Sequence, residues 1–242
     1  MESILTIILI LLLGPVIGSL IGIARRPSER TMFNFLSFAA GVMLSISFIE
    51  LIPESIEFSS AWLAIAGIIL GSIIMFGIDK LIPHLHPGMC RQEQGHHLKR
   101  TAEYLILGIL LHNFPEGIAI GFGSVSTLKL SFIIALAIAI HDIPETICTS
   151  APYYFVSKKR LRSFIISMAT ALPTVAGFLL AYYLAQLIPV WAVGVMLAAT
   201  AGLMIYISAD ELIPTSCMRM TNHHTIFSFI AGVILVIVLG ML

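Results

Sequence analysis

Eight apolar stretches of membrane-spanning length occupy most of this chain, near 4–24, 33–53, 61–79, 101–122, 130–150, 163–186, 189–213 and 225–242. About 20 apolar residues is what an α-helix needs to cross the hydrocarbon core. Inside a bilayer every backbone N–H and C=O must be satisfied within the protein, which leaves helices or closed barrels. Runs this long predict helices, so the expected fold is an all-α membrane protein, one domain over residues 1–242. Only 11% of the residues are charged, against about 25% in soluble proteins, so no soluble domain fits. Residues 4–24 are too long for the apolar core of a signal peptide and lack its small-residue cleavage site, so they read as the first helix. A formal net charge of zero offers nothing to nucleic acid. The expected surroundings are membrane lipids.

The loops orient the helices. Those after the first, third, fifth and seventh hold Arg25, Arg26 and Arg30; Lys80, Arg91, Lys99 and Arg100; Lys158, Lys159, Arg160 and Arg162; and Arg219. The other side holds only Lys129. Basic residues mark the cytoplasmic side, which puts both termini outside, as for a protein of the cell membrane. The loop at 81–100 then lies in the cytoplasm with His84, His86, His96 and His97 beside Cys90, and His223 and His224 share that side. Short His-rich tracts bind metals, so the four loop histidines are a candidate landing or sensing site. Cys90, Cys217 and the inner end near Cys148 face a reducing compartment and read as free thiols.

The second and seventh helices repeat each other. Residues 40–55 align with 201–216 at a constant offset of 161, with Gly41/Gly202, Met43/Met204, Ser47/Ser208, Glu50/Glu211 and Pro53/Pro214 identical. That offset spans five helices, an odd number, so the copies cross the membrane in opposite senses. Inverted repeats are common in secondary transporters, with the substrate near the midplane at the repeat interface. The expected arrangement is 3+2+3: helices one to three repeated as six to eight, around helices four and five.

Helices four and five carry the chemistry. The chain reads His112-Asn113-Phe114-Pro115-Glu116 and then His141-Asp142-Ile143-Pro144-Glu145. Residues four apart stack on one helix face, so each His shares a face with its Glu, and Asn113 and Asp142 stand about 100° round. Each proline removes a backbone donor and frees a carbonyl near the histidine. Between Arg100 and Lys158 the only Lys or Arg is Lys129, so Glu116, Asp142 and Glu145 have no basic residue at their depth. A charge there costs roughly 2.5–3.5 kcal/mol on insertion scales, and it must be neutralised by a proton or a metal. Two imidazoles beside the carboxylates argue for a metal, because imidazole with carboxylate suits zinc and other first-row divalent ions.

Other residues extend this reading. Glu50, with Glu54 beyond it, falls toward the outer mouth, and Asp210 and Glu211 toward the cytoplasm, which suits an outer and an inner station for an ion; acids capping helix ends are the competing account. Met43 places a thioether near the middle of the second helix, where it fills the core or ligates. Cys148, three residues past Glu145, is a candidate secondary ligand. Gly14, Gly18 and Gly22 lie on one face of the first helix and permit close packing within the bundle.

The paired motif resembles that of the ZIP (Zrt/Irt-like) family of divalent-metal transporters, and the eight helices, outward termini and His-containing loop are similar to that family over the whole chain. The resemblance implies that His112, Glu116, His141 and Glu145 hold the transported ion. It implies a second adjoining position at Asn113 and Asp142 with the shared glutamates. The ion would be substrate and not cofactor: zinc mainly, with iron, manganese or cadmium in some members, moved toward the cytosol by an elevator-like shift. A homodimer is compatible with the family. Two departures stand out. Where members with two ions have a carboxylate in the sixth helix, this chain has Ala171-Leu172-Pro173-Thr174 and no Asp or Glu in 163–186, which favours one ion. Thr146 replaces a glycine common after the second Pro-Glu.

Two other functions use the same residues. An intramembrane zinc metalloenzyme would hold zinc with His, Glu and Asp and activate water with a carboxylate. An inverted repeat gives an enzyme no advantage. A metal sensor would bind without flux. No phosphate-binding loop appears in the sequence, and the membrane potential alone could drive uptake of a divalent cation without ATP.

Overall fold

A computed structural model of the protein describes residues 2–24, 28–81, 110, 113–124, 127–217 and 223–241. Helix α1 spans Glu2–Ala24. Helix α2 runs from Glu29 to Ser45, widens into a π-helical segment at Ile46–Leu51 and continues as Ile52–Phe58. Helix α3 spans Ala61–Leu81, α4 is described over 113–124, and α5 spans Leu128–Ser157. Helix α6 comprises Arg160–Ala169 and Ala171–Leu184. Helix α7 comprises Val190–Ile207, a π segment at Ser208–Leu212, and Ile213–Cys217. Helix α8 spans His223–Gly240. Seven of these are long and apolar enough to cross a membrane, and Leu5, Leu9, Leu13, Ile69, Ile73 and Ile234 turn outward as lipid-facing side chains would. This is a multi-pass integral membrane protein.

Several boundaries differ from expectation. Helix α5 continues beyond residue 150, through Pro152, to Ser157. It stops where Lys158 turns left-handed (φ 56°) and its N–H closes on Tyr154 O, a common helix ending. Helix α6, expected to be continuous, is interrupted at Thr170, whose N–H bonds to Ser167 O. Pro173 lies just beyond and has no N–H to give to Ala169 O, so a regular turn cannot close there. Helices α2 and α7 pass through Pro53 and Pro214 in the same way as each other. Ile52 N–H bonds to Ser47 O, five residues back, and Ile213 N–H bonds to Ser208 O. A proline crowds the carbonyl four residues earlier; the wider π turn relieves that crowding, and such turns are frequent at functional sites.

Helix pairs approach through glycines, as small residues allow. Helix α1 packs on α5, where a Cβ at Gly14 would meet Ala139 O and one at Gly18 would meet Thr146 Oγ1 and Ile143 O. The glycine face of α1 is therefore buried inside the bundle. Helix α4 meets α6 in the same manner, Gly117 against Thr174 O and Gly177 against Phe114 O. Helix α2 packs on α8 and α3 on α7: Gly41 lies against Phe229 O and Gly202 against Ile68 O, while Gly232 lies against Phe38 O and Gly71 against Ala199 O. Helix α5 is the most enclosed of the described spans. It touches α1, α2, α6 and α8.

Candidate metal centre

Helices α4 and α5 bring part of the paired motif to one buried point. His141 Nε2 lies 3.0 Å from Glu116 Oε1, 3.6 Å from Asp142 Oδ1 and 3.8 Å from Glu145 Oε2. Glu116 and His141 are wholly enclosed, and Asp142 and Glu145 are at most 3% exposed. Donor atoms of Glu116, His141 and Asp142 all fall within 4.8 Å of one another. A tetrahedral zinc ion with bonds of 2.0–2.1 Å needs donors about 3.3 Å apart, and the three distances from His141 bracket that spacing. Among the described residues no Lys or Arg pairs with Glu116, and Glu116 Oε2 and His141 Nδ1 have no hydrogen-bond partner there. Orphaned buried acceptors are costly. Three carboxylates around one imidazole are chemically suited to a divalent cation.

The local sequence accounts for this geometry. The i,i+4 spacing stacks His141 over Glu145. Pro144 cannot donate to the carbonyl of Ile140 one turn back, and Thr146 Oγ1 donates to Asp142 O at 2.6 Å. The threonine in the position following Pro-Glu thus bonds to the turn that carries His141 and Asp142. Asp142 lies beside the cluster, its donor atom within 4.8 Å of those of Glu116 and His141. Asn113 is buried, and its Nδ2 donates to Thr170 O of α6 at 2.7 Å.

Other candidates fall elsewhere. His112 and the loop histidines His84, His86, His96 and His97 lie outside the described residues, as does Cys90. Met43 is fully buried in the apolar core. Glu50 is half-buried within the π segment of α2, Asp210 is exposed within that of α7, and Glu211 occupies the same segment. Cys148 is buried and not in a disulfide. Sequence reasoning missed the hydroxyl contacts between α5 and α6, where Thr149 Oγ1 meets Ser167 Oγ at 2.8 Å. The signal was two polar residues in otherwise apolar spans.

The chain matches the family described as ZIP Zinc transporter over residues 1–104 and 84–240. It belongs to the ZIP family. The two matched stretches overlap in the His-containing loop, so the ZIP match runs through both halves of the chain. Proteins named zinc transporter ZupT are similar to it over nearly their whole length. The one from Salmonella heidelberg (strain SL476) is 35% identical over 236 residues, 93% of this chain and 92% of that protein. Those from Salmonella newport (strain SL254) and Salmonella typhimurium (strain LT2) are 36% identical with the same coverage.

Proposed function

We propose that this ZIP protein is a divalent-metal transporter, with zinc as its first substrate, and that Glu116, His141, Asp142 and Glu145 hold the ion in transit. The observation that carries this reading is the buried cluster itself: three carboxylates held at zinc-like spacing around an imidazole. The relatives' name as zinc transporters supports the choice of ion. His112 and Asn113 complete the site on α4. One ion at a time is carried, because α6 offers no carboxylate to a second position. The ion is substrate, and the protein is not an enzyme.

The ion moves toward the cytosol by alternating access. A divalent cation crossing inward gains about 4.6 kcal/mol per 100 mV, twice the single-charge value, which drives uptake without ATP. The packing supports a repeat in which helices one to three return as six to eight. The contacts Gly41–Phe229 and Ile68–Gly202 exchange under the offset of 161, as do Phe38–Gly232 and Ala199–Gly71. Helices α2, α3, α7 and α8 then form one bundle, with α1, α4, α5 and α6 as the bundle carrying the cluster. Relative movement of the two bundles would open the cluster to either side. Both termini face outward on the basic-residue count. Glu50 serves the outer mouth and Asp210 with Glu211 the inner one.

A metalloenzyme would use the same donors, but two symmetric approaches to the site serve passage and not turnover. The deciding experiment is reconstitution into liposomes containing a zinc-sensitive dye. Zinc-dependent signal should appear with the wild-type protein and vanish with Glu116→Ala combined with His141→Ala. No signal from the wild type, or one unchanged by the double substitution, removes the transport reading.

A further inference from the structure

Helices α4 and α5 supply every donor of the described cluster. They are tied directly beyond it, where Ser131 Oγ donates to Ile120 O at 2.5 Å. On the other side, toward Lys158, the hydrogen bonds that link them among the described residues run through α6. Asn113 Nδ2 donates to Thr170 O at 2.7 Å, and Thr170 Oγ1 donates to Ser167 O at 2.6 Å. Thr149 Oγ1 and Ser167 Oγ lie 2.8 Å apart, and both lie within hydrogen-bonding distance of Thr146 O, at 3.0 and 3.1 Å. A hydroxyl has one proton, so one of the pair donates to Thr146 O while the other donates to its neighbour. Thr146 in turn holds Asp142 O. All these side chains are at most 2% exposed.

Most hydroxyls in apolar helices bond back to their own helix, as Ser47 does to Met43 O and Thr200 to Met196 O. The Thr149–Ser167 pair instead links two helices side chain to side chain, one turn from the residue that braces Asp142. Neither hydroxyl touches a donor atom of the cluster. A link of this kind sets a distance. The donors divide between α4 and α5, so their separation determines how large an ion they fit, and α6 is the strut that holds it.

We propose that Thr149 and Ser167 are positioning residues that set the size preference of the metal cluster, favouring zinc over larger divalent ions such as cadmium. The proposal rests on the reading that the cluster binds the metal. The test is the ratio of zinc to cadmium affinity, measured by calorimetry on the purified full chain. Thr149→Val and Ser167→Ala each remove one hydroxyl. Each should lower the ratio by about threefold to tenfold, the range expected for one net hydrogen bond. Ser167→Ala removes both bonds between α5 and α6 and Thr149→Val only one, so the double substitution should match Ser167→Ala, and Thr149→Ser should keep the wild-type ratio. Both affinities falling equally, an unchanged ratio, or additive singles would overturn the proposal. So would failure of both hydroxyl deletions to fold while Thr149→Ser folds, since the pair would then serve stability alone. Glu116→Gln separates the two ideas: if it leaves both affinities intact, the metal sits elsewhere and the functional reading falls too. If it weakens them while Thr149→Val leaves the ratio unchanged, only the positioning role is lost.

Discussion

Replacing Glu116 by Gln keeps the volume of a fully buried side chain and removes its charge. The wild-type carboxylate lies 3.0 Å from His141 Nε2, so the change deletes an anionic donor at the centre of the cluster. Structural zinc sites gain about 10–16 kcal/mol from four ligands, or roughly 2.5–4 kcal/mol each on an even division. At about 1.4 kcal/mol per tenfold, zinc should bind roughly a hundredfold to a thousandfold more weakly. The metal-free protein should lose little, because the Gln amide oxygen can still bond to His141 Nε2 and carries no charge to desolvate. Thermal unfolding in detergent reads both effects. At zinc equal to 100 times the wild-type Kd, the wild type should gain about 2.7 kcal/mol, and a variant weakened a hundredfold only about 0.4 kcal/mol. A variant with metal-dependent stabilisation equal to wild type would refute the reasoning, as would a large loss of stability in the metal-free state.

Gly18→Ala should lower thermal stability by about 1–3 kcal/mol, because its Cβ would meet Thr146 Oγ1 and the α5 backbone; an unchanged melting temperature counts against that contact. Gly41→Ala and Gly202→Ala should destabilise by similar amounts, since each presses on the equivalent backbone of a partner helix, and a large asymmetry would weaken the repeat. Zinc affinity should fall on acidification, because imidazole and carboxylates bind metal only when deprotonated; an affinity flat between neutral and acidic pH would contradict a His/carboxylate site. Glu211→Ala should slow release into liposomes more than it weakens external binding, and equal effects would remove the inner station.

Helices were legible because apolar length alone decides them in a bilayer. Their ends were less so: Pro53, Pro152 and Pro214 look like breaks, yet the chain runs through them. At Pro53 and Pro214 a π turn absorbs the missing donor, and nothing in residue type announces that. Within a helix, spacing told much. The four-residue interval placed His141 with Glu145, and the structure has them 3.8 Å apart. The meeting of Glu116 with His141 across two helices was legible only as chemistry, because the sequence offers these spans no Lys or Arg to neutralise the acid. Asp142, expected about 100° round from His141, has its Oδ1 3.6 Å from His141 Nε2. Thr149 and Ser167 were legible only as hydroxyls within apolar spans, and nothing showed that they meet. Serines and threonines in apolar helices ordinarily serve their own backbone, and only tertiary packing distinguishes one that reaches a neighbour.

The claim that the ion rests among Glu116, His141, Asp142 and Glu145 is tested most directly by X-ray absorption at the zinc edge of the loaded protein. An oxygen and nitrogen shell near 2.0–2.1 Å is expected, with imidazole scattering that weakens in His141→Ala. A sulfur shell near about 2.3 Å, or a spectrum indifferent to His141, would contradict it.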